Sequence, residues 1–279
     1  MQIVKTLNAI TYVEEFFGFT DVPFARNLPV EKLLELPGQQ EMLARFRRAI
    51  KCDDIALVTG PGGVGKSTAL RLLQADLDTN RHKLICSPNP GAGLVGLYRG
   101  LLWELGHEPT YFKPHLVTQV RRALRDLADK GRKVIIACDE SDAMTDPWLH
   151  DLRMLVSDQM DSRSLATLIL MGLPSLLQRL KMADNEPLSG RINYKYQLQP
   201  LDLLGTATYI QHHVQIAGYR GEALFSDGFV AKAHAYTRGS MRRINQVCTY
   251  ALIAACASKS KVIDEAIFER VKAELDGES

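Results

Sequence analysis

Residues 60–68 read GPGGVGKST, and this run restricts the fold more than any other part of the chain. Its glycines and proline suit neither a helix interior nor a strand. It follows the short apolar run IALVTG (55–60) and precedes TALRLLQADL (68–77), whose apolar residues recur at helical spacing. Strand, glycine-rich loop and helix in that order predict a phosphate-binding loop. The glycines let backbone N–H groups turn inward around phosphates, and the helix N-terminus adds partial positive charge. In this reading Gly60, Pro61, Gly62, Gly63, Val64, Gly65, Lys66, Ser67 and Thr68 hold the nucleotide. Lys66 neutralises the β- and γ-phosphates, and the Ser67 hydroxyl ligates Mg²⁺. Nothing in the chain resembles the NKxD element that selects guanine, so ATP is the expected nucleotide.

Further strands are expected at KLICSP (83–88), KVIIACDE (133–140), SLATLILMG (164–172) and YKYQLQPL (194–201), separated by helical stretches at 94–106, 115–130, 147–160 and PSLLQRLKM. Alternation of this kind predicts an α/β fold with a parallel sheet covered by helices on both faces. After Pro200 the strand signals stop, and residues 202–217, 227–237, 240–258 and 264–275 read as four helices. The expected domains are an N-terminal arm at 1–40 packing on the core by its phenylalanines, a nucleotide-binding core at 41–200, and a small all-α lid at 201–279.

The run VIIACDE ends in Asp139 and Glu140. Alone, an acidic pair at a strand end commonly caps the next helix. With a phosphate loop one or two strands away, the pair instead suits a second magnesium-site element, in which Asp139 holds the metal through water and Glu140 polarises the attacking water. A net charge of +2 does not by itself argue for nucleic acid. The five cysteines lack metal-ligand spacing, and Cys138 and Cys256 fall in apolar runs, so buried reduced thiols are expected. No stretch reaches the ~20 apolar residues a membrane helix requires, and no secretion signal opens the chain, so the expectation is a soluble cytoplasmic protein. His212 and His213 point in different directions on one helix and are expected at the lid surface.

The order FFGFTDVPF (16–24), phosphate loop, ACDESDAM (137–144), LHDLRMLVS (149–157), LILMGLPSLLQRL (168–180), LSGRINYKYQLQPLD (188–202), YIQHHVQIAG (209–218) and TRGSMRRINQVCTYALIAA (237–255) resembles the ExeA/TniB/TnsC branch of the AAA+ ATPases over nearly the whole chain. The resemblance implies a P-loop AAA+ core with a helical lid. It implies that Arg191 is an arginine finger reaching the γ-phosphate of a neighbouring subunit. It also implies that Arg242, or the adjacent Arg243, is a sensor-2 residue touching the phosphates. Phe17, Phe24 and Gln39 resemble the adenine-side pocket. Leu173 stands at sensor 1, where relatives commonly carry glutamine or threonine; a leucine cannot orient water, so slow or partner-stimulated ATP hydrolysis is expected. In DNA-binding relatives the region holding Lys113, Arg121 and Arg125 lines the central channel, where such cations neutralise phosphates without reading bases.

Three functions stay open on the sequence. One is an ATP-dependent regulator of transposition similar to TniB, TnsC and MuB. Such a protein forms a homo-oligomeric ring or filament on double-stranded DNA and recruits a transposase, with a possible target-selection protein. The second is a secretion-assembly ATPase similar to ExeA, against which the reading sets the end of the chain at Ser279 without a membrane helix. The third is a helicase-loader or origin-type ATPase.

Overall fold

The computed structural model describes residues 13–86, 93–158 and 163–277. It divides into two compact units. The larger runs from Pro37 to Pro61 and from Gly65 to Leu198.

In that larger unit, helix α1 (Pro37–Cys52) leads into strand β1 (Ile55–Thr59) and helix α2 (Lys66–Asp76). Strand β2 (His82–Cys86), helices α3 (Gly93–Glu104) and α4 (Lys113–Asp129), strand β3 (Lys133–Cys138) and helix α5 (Asp146–Val156) follow. Strand β4 (Thr167–Gly172), helix α6 (Pro174–Leu180) and strand β5 (Ile192–Gln197) complete it. The last two residues of the strand expected at 83–88 lie outside the described residues. The helix expected to run to 160 stops at Val156. There Ser157–Asp158 pairs antiparallel with Arg163–Ser164 instead, as a short ladder next to β4.

The strands form one parallel sheet in the order β2-β3-β4-β1-β5. β1 and β4 are buried at every position, as expected for central strands with both faces covered. β5 lies at an edge, alternates between buried or half-buried and exposed residues, and has a register irregularity opposite Ile55/Ala56. Asn193, at that irregularity, donates to the Asp54 carboxylate at 3.0 Å. Lys133 closes the C-terminus of α1: its ammonium donates to the carbonyls of Ile50 (3.0 Å) and Lys51 (3.1 Å) and pairs with Asp53 at 2.8 Å. A cation there satisfies orphan carbonyls and complements the helix dipole.

The smaller unit gathers the described residues up to Leu36, the short piece Gly62–Val64 and the residues from Gln199 onward. Its helices are α7 (Leu203–Ile216), α8 (Asp227–Thr237), α9 (Met241–Ala257) and α10 (Glu265–Asp276). Asp202, Ser226 and Asp264 cap α7, α8 and α10 with their side-chain oxygens. Gly239, at φ +71°, is required by a close approach: a Cβ there would lie 2.0 Å from the Leu201 carbonyl oxygen. The described residues of the arm belong to this unit and share its helical core. Val13, Phe17, Phe19 and Phe24 cluster with Tyr209, Phe225 and Phe229. Its first twelve residues lie outside the described residues. The physical reason is that closely spaced aromatics need an apolar surface to cover, and the four lid helices offer one.

His213 corrects the surface expectation: it is only 4% exposed, stacked on Phe24 (5.2 Å between centroids, 12° between planes) and packed on Tyr209. Burial, assisted by the neighbouring His212, pushes its pKa down to about 4. The imidazole is therefore neutral when folded, whereas in the unfolded chain it takes up a proton near its ordinary value of about 6.5. The stability this provides is complete above that value and is lost as pH falls towards 4, at up to about 1.4 kcal/mol per pH unit. Urea midpoints compared between pH 7 and 4.5 should therefore fall less in His213→Phe than in the parent chain. Equal slopes would refute a buried neutral imidazole.

Candidate nucleotide site

The parallel register sends three loops out at one edge of the sheet. Thr59 of β1 stands opposite Gly172 of β4 and Gln197 of β5, while Cys138 of β3 pairs with Leu170 of β4. Ladder bonds extend past the strands, since Gly60 N–H donates to the Gly172 carbonyl at 3.2 Å and Leu198 N–H to that of Thr59 at 2.8 Å. The loop after β1 and the acidic pair after β3 therefore leave together, with β4 between them. Clefts at the carboxyl ends of parallel strands are where ligands bind in open α/β sheets.

Lys66 and Ser67 open α2, and Thr68 is its third residue. Gly65 immediately before them takes φ +93° and Gly63 takes φ +77°, left-handed values that let successive N–H groups turn to one side. The Lys66 ammonium donates to the carbonyls of Gly60 (2.7 Å) and Pro61 (3.0 Å), which arches it over the loop. Gln39 is 2% exposed and donates to the Gly65 carbonyl at 3.4 Å, tying α1 to the loop.

The Ser67 hydroxyl donates to Asp139 Oδ2 at 2.6 Å. One hydroxyl and one carboxylate oxygen thus converge beside the loop. These are hard oxygen donors of the sort Mg²⁺ takes when it also keeps waters and phosphate oxygens, so the residues present fit that ion. The other Asp139 oxygen accepts from Glu140 N–H at 2.9 Å. Glu140 is exposed and left-handed, at φ 54° and ψ 34°. For a non-glycine residue this conformation costs about 1–3 kcal/mol and concentrates at functional sites. It begins a tight 3-10 turn, Ser141–Ala143, pinned by Ser141 Oγ on the Cys138 carbonyl at 2.8 Å.

Leu173 stands at the N-cap position of α6 with no side-chain cap and is 42% exposed, and its N–H donates to Asp142 Oδ1 at 2.9 Å. Arg191 lies just before β5, and its guanidinium donates to Ser157 Oγ at 3.2 Å. Within the helical unit, Arg242 sits in the first turn of α9. Its N–H donates to the Gly63 carbonyl at 3.3 Å, and Ser240 Oγ donates to that of Gly62 at 3.1 Å. Arg243 instead lies over the Tyr236 ring, 4.8 Å from its centroid. Of the two arginines, Arg242 is therefore the one beside the loop tip. Phe17 and Phe24 are core residues of the helical unit.

Three cations of α4, Lys113, Arg121 and Arg125, are engaged within the chain. Arg121 (3.1 Å) and Arg125 (2.6 Å) both pair with Asp158, itself 6% exposed, and Arg121 also donates to the Met154 carbonyl at 2.6 Å. Lys113 pairs with Asp151 at 3.3 Å. The sequence did not single out Asp142 and Arg179, which contact the loop after β4 and the turn after Glu140, or Asp158, which pairs with Arg121 and Arg125. Only Asp142 carried a signal, its place in DESD.

Residues 47–180 match the family model of the AAA domain. General secretion pathway protein A of Aeromonas hydrophila is 27% identical over 252 residues, covering 89% of this chain and 46% of that protein. The chain thus spans about half the length of the curated relative it matches. Cdc6p from Pyrobaculum aerophilum superposes with a TM-score of 0.69 at 13% identity, over 90% of this chain and 70% of that one. The Aeropyrum pernix ORC1 protein in complex with DNA gives 0.65 at 14%, over 89% and 68%. The Thermotoga maritima RuvB Holliday junction branch migration motor gives 0.56 at 15%, over 90% and 73%. The chain has the AAA+ P-loop fold. Among the described residues no helix is long and apolar enough to cross a membrane.

Removing a charge-assisted phosphate contact costs about 1.5–3 kcal/mol. Lys66→Ala should accordingly raise the Kd for a fluorescent ATP analogue about 10- to 100-fold, read by titration in Mg²⁺. An unchanged Kd would remove this loop from nucleotide binding.

Proposed function

We propose that the chain is an ATPase whose ATP-bound form assembles on double-stranded DNA and recruits or activates a transposase. The observation that carries the nucleotide half of this reading is the 2.6 Å bond from Ser67 to Asp139, with Glu140 next in the chain. That pairing puts phosphate-loop and acidic-strand chemistry at one point. In the proposed mechanism the loop N–H groups and Lys66 hold the β- and γ-phosphates. Ser67 and Asp139 would hold Mg²⁺, which would neutralise developing phosphate charge. Glu140 accepts the proton of the attacking water. Arg191 of a neighbouring copy steadies the transition state, so hydrolysis depends on assembly, and Arg242 couples the helical unit to the bound phosphates.

The DNA half is supported by the motif order shared with transposition regulators and by likeness to a structure solved with DNA. On this reading Lys113, Arg121 and Arg125 exchange or share their carboxylate partners with the phosphate backbone, which makes binding sequence-independent and salt-sensitive. A second reading, a secretion-assembly ATPase, is favoured by the 27% identity to General secretion pathway protein A across 89% of the chain. Cytoplasmic placement belongs with the first reading.

Random-sequence duplex DNA should be retarded with ATP or a slow analogue and released without nucleotide, weakening steeply as salt rises. Nucleotide-driven assembly that ignores DNA would transfer support to the secretion reading. Nucleotide that changes neither property would remove both. Glu140→Gln should lower the hydrolysis rate by about 100-fold or more while keeping ATP bound; an undiminished rate would exclude Glu140 as the base.

A further inference from the structure

The left-handed Glu140 is held from a direction the phosphate loop does not explain. The two residues after it carry a second set of contacts, all from the β4–α6 segment. The Arg179 guanidinium, in the last turn of α6, spans two successive carbonyls of the turn, Asp142 at 3.0 Å and Ser141 at 3.4 Å. Its Nε lies 3.0 Å from the Asp146 carboxylate, an ion pair without hydrogen-bond geometry that adds charge attraction to the fork but no direction. In the opposite direction the Asp142 carboxylate accepts the Leu173 N–H at 2.9 Å. The fit is tight: a Cβ on Gly172 would lie 2.6 Å from Asp142 Oδ1 and 3.1 Å from Asp142 N, so only glycine leaves the carboxylate its place.

From this geometry we infer that Asp142 and Arg179 form a clasp that positions Glu140 for hydrolysis, with Gly172 as its seat. The inference rests on the ATPase reading of the site. Neither residue reacts; both are positioning residues acting through the backbone. A rigid fork across two carbonyls fixes the plane of the turn, and the carboxylate locks that turn to the end of β4. The Leu173 side chain has no polar atom with which to reach the turn. The link from β4 to the base runs through the main-chain N–H instead.

Asp142→Ala and Arg179→Ala should each lower kcat about 100-fold, the scale of a displacement near 1 Å of a reacting group, with KM and the Kd for ATP within about 2-fold. Asp142→Asn keeps an acceptor for the Leu173 N–H and should retain most of the rate. Gly172→Ala should reproduce Asp142→Ala. In a Glu140→Gln background neither alanine change should cost anything more, because the group being positioned is gone. An additive loss in that background, or a loss expressed in ATP affinity, would overturn the clasp. The crystal structure of Arg179→Ala needs no turnover: Glu140 leaving the left-handed region supports the clasp, and its retention there overturns it. A parent chain that fails to hydrolyse ATP would sink the ATPase reading, leaving the crystallographic result to judge the clasp.

Discussion

β4 is hydrogen-bonded in parallel between β1 and β3, and the placement of the turn that carries Glu140 beside the start of α6 follows from that insertion. Parallel neighbours share one direction, so their carboxyl ends form a common edge: Thr59 stands against Gly172, and β3 ends at Cys138 against Leu170, two residues short of the end of β4. Were β4 absent from the middle, the phosphate loop and the acidic pair would leave adjacent strands with no third loop between them. With it present, Ser67 still meets Asp139 at 2.6 Å, and the start of α6 lies alongside the turn that carries Glu140. The burial of β1 and β4 at every position makes the arrangement stiff, since a shifted strand would strip a continuous row of apolar contacts and ladder bonds together.

Around this frame the chain uses charge mostly for internal fastening. Lys133 closes the end of α1, Asp158 gathers two guanidinium groups of α4 beside a two-residue ladder, and Arg179 binds the turn after β3. These contacts differ in weight. Asp158 is nearly buried, so losing its partners would leave a desolvated carboxylate, whereas the exposed pairs Lys32–Asp21 and Lys232–Glu269 fall in the class worth about 0–1 kcal/mol. A near-neutral net charge is consistent with this pairing.

Much of the fold was legible because the signals were local. IALVTG and VIIACDE are continuous apolar runs of the kind doubly covered strands require. The helices after residue 200 kept their period over three or more turns, and their observed bounds differ from the expected ones by a residue or so. Three things were not legible. The ladder at 157–164 is two residues deep, too short for any period, so it read as the end of one helix and the start of a strand. The arm's aromatics announced burial but not the surface they bury, which depends on contacts with residues such as Tyr209 and Phe225, about two hundred positions away. His213 looked polar beside His212, and its packing against Phe24 and Tyr209 explains its burial. At the site the residue types were legible, whereas the left-handed backbone at Glu140 and the reach of Asp142 to Leu173 are tertiary facts with no local cause.

Glu140 also sets two selection pressures against each other at one position. Its backbone angles are those that glycine adopts without penalty and asparagine with little, and the turn would be more relaxed with either. Only a carboxylate can serve as the proposed base. Selection for thermal tolerance alone would drift this residue towards glycine and gain stability as it lost chemistry. Glutamate at this position is therefore a local sacrifice of stability, tolerated because the surrounding contacts keep the turn from relaxing.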